Sequence, residues 1–263
     1  MVRNARDWFR PLARAGYAAR GLIYLVIGYF AALAAIGSGQ AMGSRDALGV
    51  LLGSGPGSAL AYLLIAGLVF YALWRLVQAG FDTDDHGHGA KGVAVRGGLA
   101  VSGLTYLTLA AYAFSLSRGA GGGDGGGFAQ TLAGLVGTRW ASAALALVLA
   151  GAAAAHVIKA LREKYADHIE ASPRAMRVIH PVAKAGLMAR GAVFLTVAFL
   201  FALRAASADG GGGAPDSRAA LEYVQSLPAG GWLLAAMGAG LLAFSAYSFT
   251  QAAFRRINVE DAG

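Results

Sequence analysis

The sequence contains no cysteine, and this absence excludes disulfide bonds, iron–sulfur clusters, thioether-linked haem and thiol catalysis. Charged residues are also scarce: they make up 14% of the chain, whereas a soluble domain usually carries about 25%. Hydrophobic residues account for 57% of the 263 positions, and the mean hydropathy is positive. This balance is typical of a protein that crosses a membrane several times.

Acidic residues are the rarer charge, with 14 aspartates and glutamates against 22 lysines and arginines, and the net charge is +8. Because the basic residues cluster beside apolar segments, we expect membrane lipids with anionic headgroups as partners, and no nucleic acid. The acidic residues fall in loops or at the ends of apolar segments. Their absence from the predicted membrane interior disfavours proton- or sodium-coupled transport and a membrane hydrolase.

Six apolar windows of about 20 residues are long enough to cross the hydrocarbon core of a bilayer. Glycine-rich tracts at 119–127 and 210–213 lie between them and are predicted to be flexible connectors. A phosphate-binding loop is the less favoured alternative, because neither tract has a Lys-Ser/Thr ending. The predicted spans are roughly 16–37, 58–80, 97–117, 141–161, 185–205 and 231–253.

The lysines and arginines are divided unequally between the two sides of this arrangement. Seventeen lie on the side that holds both termini, and five lie on the other side. Because positively charged loops remain in the cytoplasm, we predict that both termini are cytoplasmic.

The odd-numbered spans open with one shared motif. They read RAGYAARGLIY at 14–24, RGGLAVSGLTY at 96–106 and KAGLMARGAVF at 184–194. A basic residue, a glycine, an arginine or serine, a second glycine and an aromatic residue therefore recur at fixed spacing.

Each pair of spans is also separated by a loop with a short, apolar, helix-like stretch, which we predict to lie at the membrane interface. These stretches are 44–53, 128–137 and 217–231. The sequence therefore predicts a single domain over 1–263 with three tandem repeats at about 10–85, 92–170 and 180–257.

Each repeat crosses the membrane twice, so the three copies have the same orientation and are related by an axis along the membrane normal. The predicted fold is an all-α membrane protein, a pseudo-threefold bundle of six helices. The first span has the basic flank of a signal peptide. The copies of its motif at internal spans, which cannot be cleaved, indicate that it is retained.

These motifs carry a resemblance to a known family. The triple opening motif, the loop reading SRDALGVL at 44–51 and the YALWRLVQA ending of the second span at 71–79 resemble a bacterial membrane family catalogued as domain of unknown function 1206. The resemblance covers nearly the whole chain and implies six spans in three repeats and a bacterial inner-membrane location. It supplies no activity and no catalytic residue. The sequence departs from the repeated pattern at Ser102, Phe194 and Ser248.

The repeated cations form the first candidate site. Around an axis, Arg14, Arg96 and Lys184 would form one basic tier. Arg20, Ser102 and Arg190 would form a second tier, about 9 Å deeper at 1.5 Å per residue. An aromatic residue follows four positions later in each copy, which permits cation–π contact: Tyr24, Tyr106 and Phe194.

Such tiers predict an anion or lipid-phosphate site at the cytoplasmic mouth of the bundle. The alternative is that these side chains only reach back to the interface, where a cation costs far less than at mid-bilayer.

Small residues recur on the spans and predict close helix packing, with an opened pore wall as the alternative. The candidate packing positions are Gly21, Gly28, Gly67, Gly103, Gly151, Gly191 and Gly240.

The histidines do not predict a metal or cofactor site. The Asp/His-rich turn at 82–89 has suitable ligand types, but no other repeat contributes further ligands, so we interpret it as a solvated turn. His156 is the only histidine well inside a span, and a membrane-buried b-type haem generally needs two. We therefore predict no metal, no cofactor and an interface position for His156.

No nucleophile, base and acid occur together, so we expect no enzyme. The sequence favours a non-enzymatic membrane module that binds lipid or a partner, which could be another protein or a second copy. The alternative is a channel or uncoupled carrier for a small or anionic solute along the pseudo-threefold axis.

Overall fold

Six long helices dominate the computed structural model, which describes residues 3–53, 58–83, 87, 89–119, 127–207 and 214–256. These residues form no β-strand, and an isolated antiparallel bridge pairs Ile169 with Arg255. The helices are α1 (Arg3–Ala35), α2 (Ser44–Gly53), α3 (Ser58–Phe81), α4 (Ala90–Ser117), α5 (Gly127–Val136), α6 (Thr138–Leu161), α7 (Pro173–Ala206), α8 (Ser217–Ser226) and α9 (Gly230–Phe254), with a 3₁₀ turn at Ala166–His168.

The six long helices, α1, α3, α4, α6, α7 and α9, are long and apolar enough to cross a membrane. The prediction of an all-helical chain with six spans is confirmed at this level, and the molecule has the architecture of a multi-pass membrane protein. The three short helices α2, α5 and α8 lie where the sequence predicted helical loop segments.

Two of the long helices extend well beyond the predicted spans. α7 begins at Pro173 after Ser172, whose side chain accepts a hydrogen bond from the backbone N–H of Ala175. Its 34 residues correspond to about 51 Å, whereas a hydrocarbon core is about 30 Å thick. Counting apolar residues misses such extensions, because a helix continues through polar flanks until a capping residue ends it.

The spanning helices are neighbours in the order α4, α3, α1, α9, α7, α6. The helices at the two ends of this row, α4 and α6, make at most a minor contact with each other within the described residues. Both ends nevertheless border the same interior, since Tyr106 of α4 packs on Tyr71, which accepts a hydrogen bond from Arg20, and α6 packs on α7. We refer to the space between α4 and α6 as the α4–α6 seam.

The closest helix crossing joins α1 to α9 and depends on two glycines. A Cβ placed on Gly28 would lie 2.8 Å from the backbone nitrogen of Leu242, and one placed on Gly238 would lie 2.9 Å from the backbone nitrogen of Ala32. The hydroxyl of Ser245 in α9 donates to the carbonyl oxygen of Gly21 at 2.7 Å, which adds a polar bond to the same contact. Small residues thus let the two backbones touch, as is common between helices in lipid.

We predict that Gly28→Ala lowers the thermal stability of the purified protein, because overpacking a close contact costs about 1–3 kcal/mol. Gly151→Ala is the matched control: it lies mid-helix in α6, and an added Cβ there would have no neighbour within 4 Å. Both changes gain the same helix propensity. Unfolding in detergent, followed by fluorescence, checks the difference, and equal stability of the two variants would contradict the α1–α9 contact.

Candidate functional site

Arg20 is a permanent cation buried at the centre of the bundle, with 2% of its surface exposed. Its Nε–H donates to the hydroxyl of Ser248 at 3.1 Å, and its Nη1 donates to the hydroxyl of Tyr71 at 2.6 Å. Its Nη2 donates to Oε1 of Gln251. The acceptors come from α3 and α9, so a single side chain of α1 connects three helices through neutral oxygen atoms.

Aromatic rings complete the surroundings of the Arg20 guanidinium. Its central carbon lies 5.1 Å from the ring centroids of Tyr17 and Tyr71 and 5.0 Å from that of Phe244. The negative face of an aromatic ring attracts a cation, and this attraction is larger where water is excluded. The rings therefore supply part of the stabilisation that water would give to an exposed arginine.

The Tyr71 hydroxyl is shared by two arginines. Arg75, one helical turn further along α3, donates to it through Nε at 2.9 Å and through Nη2 at 2.6 Å. Arg75 also donates to Oε1 of Gln78 at 3.1 Å. Tyr71 itself is fully buried, so this oxygen is a central acceptor of the polar cluster.

Arg190 occupies the position in the opening motif of α7 that Arg20 occupies in that of α1, but its surroundings differ. It is 7% exposed, and its central carbon lies 4.6 Å from the ring centroid of Phe244, 4.9 Å from that of Tyr24 and 5.0 Å from that of Phe194. Its Nε is buried and has no hydrogen-bond partner among the described residues. Arg190 is thus surrounded by rings and lacks the acceptors that Arg20 has.

No described carboxylate compensates for these two charges. The ion pairs between described residues lie elsewhere, on Glu163, Asp46, Glu222 and Glu170. The interior of the described bundle therefore carries uncompensated positive charge.

The structure brings together part of the predicted site. Arg20, Arg190, Tyr24 and Phe194 meet around the Phe244 ring, and Tyr106 packs on Tyr71 with ring centroids 4.5 Å apart.

The remaining candidate residues have other surroundings. Arg14 is exposed, and Ser102 is half-buried. Arg96 donates to the carbonyl oxygens of Ala79 and Gly80, at the C-terminal end of α3. Lys184 forms an ion pair with Glu163 and, through that hydrogen bond, lowers the pKa of this carboxyl. The structure therefore does not bring Arg14, Arg96 and Lys184 to the cluster around Phe244.

Most of the candidate packing glycines lie at helix contacts. A Cβ on Gly67 would lie 2.7 Å from the Cβ of Ala19, and one on Gly240 would lie 2.3 Å from the Cβ of Ala189. A Cβ would also lie between 2.8 and 3.3 Å from its nearest neighbour on four further glycines: Gly21, Gly28, Gly103 and Gly191. A Cβ on Gly151 would have no neighbour within 4 Å.

His156 lies in α6 beside the cluster. Its Nδ1 is 2.8 Å from the carbonyl oxygen of Ala152, and its ring packs edge-on against Phe194 at 5.2 Å. Within the described part of the chain, no group of histidines and carboxylates could hold a metal ion. Positions 84–86 and 88 of the Asp/His-rich turn lie outside the described residues.

The acceptors of Arg20 were not predicted from the sequence. Tyr71, Ser248 and Gln251 lie on even-numbered spans, and Ser248 was identified there only as a departure from the repeated pattern. One signal was present: Gln78 and Gln251, like Gly67 and Gly240, are separated by 173 residues. Polar residues at equal repeat positions on two spanning helices indicate a common polar layer.

We predict that Tyr71→Phe destabilises the protein by about 1.5–3 kcal/mol, because it leaves buried donors of Arg20 and Arg75 without their acceptor. Tyr106→Phe is the matched control, since it removes a phenolic hydroxyl that makes no hydrogen bond with the described residues. Chemical unfolding of both variants checks this. A Tyr71→Phe variant as stable as the control would exclude this hydroxyl as a necessary partner of Arg20.

Comparisons with known proteins identify a family and one relative, both without an assigned function. The chain matches the model of the family described as Domain of Unknown Function (DUF1206) over residues 15–82 and 185–255, together more than half of its length. It is similar to the "Uncharacterized protein YxxB" of Bacillus subtilis (strain 168), with 26% identity over 274 residues, covering 98% of this chain and 95% of the relative. No solved structure matches the chain. The chain therefore belongs to the Domain of Unknown Function (DUF1206) family.

Proposed function

We propose that this protein is a non-enzymatic module of the bacterial inner membrane that binds an anionic lipid. The observation that carries this proposal is that Arg20 and Arg190 are both buried in spanning helices, while no described carboxylate contacts either. A buried charge is costly unless an opposite charge or a full set of hydrogen bonds compensates for it. An anionic headgroup is a compensating charge that the membrane itself supplies.

The helix contacts support a pseudo-threefold arrangement of the three predicted repeats around this cluster. The main contacts between repeats join α3 to α4, α6 to α7 and α9 to α1. Each contact places the last span of one repeat against the first span of the next, as rotation about a threefold axis would produce. The family model also matches within the first and the third repeat.

The packing of the interior favours binding over conduction. The rings of Tyr24 and Phe244 meet edge to face at 4.8 Å, and Phe244 contacts both guanidinium groups. Side chains thus occupy the space between Arg20 and Arg190 that an axial anion path would need. This favours a lipid-binding module over an uncoupled anion channel.

We further propose that both termini face the cytoplasm and that α2, α5 and α8 lie at the opposite membrane interface. Seventeen of the 22 lysines and arginines belong to the side of the termini. At this opposite interface, α2 and α8 contact each other. The backbone N–H of Ser44 donates to the hydroxyl of Ser217, and Arg218 forms an ion pair with Asp46.

Anionic lipid is expected to raise the unfolding temperature of the protein. The measurement compares nanodiscs of phosphatidylcholine with nanodiscs that also contain phosphatidylglycerol. A ligand at a hundredfold excess over its Kd adds about 2.7 kcal/mol. Because the charges are buried, the gain should persist at high salt, which screens surface attraction. No gain, or a gain that salt abolishes, would contradict the proposal.

A flux measurement on protein reconstituted into liposomes distinguishes the module from a channel. Liposomes with the protein should release a small anion no faster than empty liposomes. Flux above that background would support the channel and count against the module.

A reporter at the C-terminus checks the orientation. Green fluorescent protein fused after residue 263 should fluoresce in intact bacteria, and alkaline phosphatase at the same position should be inactive, because both termini are proposed to be cytoplasmic. The reverse result would contradict the proposed orientation and would leave the proposal of lipid binding unaffected.

A further inference from the structure

The two buried arginines have different surroundings and, we infer, different roles. This rests on the proposed function and assigns the binding of the anion to one residue. We propose that Arg190 receives the phosphate oxyanion of a ligand that enters through the α4–α6 seam, and that Arg20 is a structural brace. The ligand class is a phosphate-bearing anion, with two possible sources: a lipid headgroup or free inorganic phosphate.

Comparison of the first and third repeats shows why Arg190 lacks an acceptor within its own repeat. A shift of 173 residues superimposes Gly67 on Gly240 and Tyr71 on Phe244. Tyr71 gives Arg20 both a ring and a hydroxyl oxygen, whereas Phe244 gives Arg190 only a ring, at 4.6 Å. One acceptor of the Arg20 set is therefore replaced by a group that cannot accept a hydrogen bond.

The neighbouring repeat accounts for the other two acceptors. Arg20 takes them from α9, at Ser248 and Gln251, and the helix in the corresponding place beside α7 is α6. A shift of 89 residues, which superimposes Gly240 on Gly151, places Lys159 and Arg162 at these two positions. Lysine and arginine only donate hydrogen bonds, so these two positions of α6 hold no counterpart of the Ser248 and Gln251 oxygens.

The two arginines therefore differ in the hydrogen-bond acceptors that surround them. Around Arg20, three neutral oxygens accept its N–H groups. Around Arg190, the described residues present the rings of Tyr24, Phe194 and Phe244, and its Nε remains without an acceptor at 7% exposure. A planar guanidinium binds a phosphate through two parallel hydrogen bonds, and nearby cations favour an anion with several acceptor oxygens.

The path to Arg190 lies in the second repeat. In the first and third repeats, the two spans are packed so closely that a Cβ on Gly16 would lie 2.7 Å from the backbone of Tyr71, and one on Gly186 would lie 2.5 Å from the backbone of Phe244. In the second repeat, Gly98 corresponds to Gly16 and Gly186, and Gly151 corresponds to Gly67 and Gly240. A Cβ on either Gly98 or Gly151 would have no neighbour within 4 Å.

Gly191, the neighbour of Arg190, packs against α6 at Ala153 and His156, and the His156 ring packs on Phe194, whose ring Arg190 contacts. Arg190 therefore borders this open hairpin at α6. A ligand lying in the membrane can thus approach the cation sideways, without crossing the ring-filled interior between the two arginines.

The deciding experiment returns the lost acceptor to Arg190. Phe244→Tyr places a hydroxyl at the position equivalent to Tyr71. We expect the variant to be more stable than the wild type in phosphatidylcholine nanodiscs, and to bind phosphatidylglycerol about tenfold more weakly, which corresponds to 1.4 kcal/mol. Arg190→Gln should abolish the phosphatidylglycerol-dependent rise in unfolding temperature. Arg190→Lys, which keeps the charge and loses the paired hydrogen bonds, should weaken it.

Tyr71→Phe is the matched control, because it removes the same group from the Arg20 side. It should lower the stability in both kinds of nanodisc and leave the phosphatidylglycerol-dependent rise unchanged. A full rise in Arg190→Gln, or an equal loss of the rise in Tyr71→Phe and Phe244→Tyr, would overturn the assignment to Arg190.

A second arm identifies the source of the phosphate. Wild-type protein in phosphatidylcholine nanodiscs is heated with inorganic phosphate or with chloride at equal ionic strength. Stabilisation by phosphate and not by phosphatidylglycerol would keep the Arg190 site and refute the lipid module. Stabilisation by phosphatidylglycerol that survives in Arg190→Gln would keep the module and refute the site. If neither probe stabilises the wild type, both proposals fall.

Discussion

A guanidinium group stays protonated wherever it is placed, so an arginine inside a membrane protein has to be solvated by the protein itself. On insertion scales an arginine at mid-bilayer costs about 2.5–3.5 kcal/mol, and Arg20 offsets this cost with three neutral acceptors and three aromatic rings. Those partners belong to α1, α3 and α9. The requirement to solvate one cation therefore fixes how three of the six spanning helices meet.

The second cation shows what happens when the same constraint is met only in part. Arg190 keeps the ring environment but has lost the oxygens, because the equivalents of Tyr71, Ser248 and Gln251 are a phenylalanine and two basic residues. Arg20 therefore has acceptors within the bundle, whereas the Nε of Arg190 has none among the described residues. Gly191, next to Arg190, packs against α6, the helix in which a Cβ on Gly151 would have no neighbour.

Much of the fold follows from short-range sequence patterns. Apolar windows about 20 residues long locate all six spans, and the loop segments at 44–53, 128–137 and 217–231 form helices. The repeated opening motif also indicated that Arg20 and Arg190 belong to one kind of site, and both side chains contact Phe244. The surroundings of the three residues predicted to form a basic tier do not follow from such patterns, because they depend on neighbouring loops and helix ends. These residues are Arg14, Arg96 and Lys184.

The sequence by itself determined where the helices are, which residues repeat and where the cations stand along each span, because hydrophobicity and periodicity are local properties of the chain. Only the tertiary structure decided which of the two buried arginines has hydrogen-bond acceptors. The acceptors of Arg20 are 51, 228 and 231 residues away, on helices whose rotation and neighbours are set by glycine contacts rather than by apolar length. In lipid, apolar surface does not distinguish one helix partner from another, so close packing and buried polar bonds determine the arrangement.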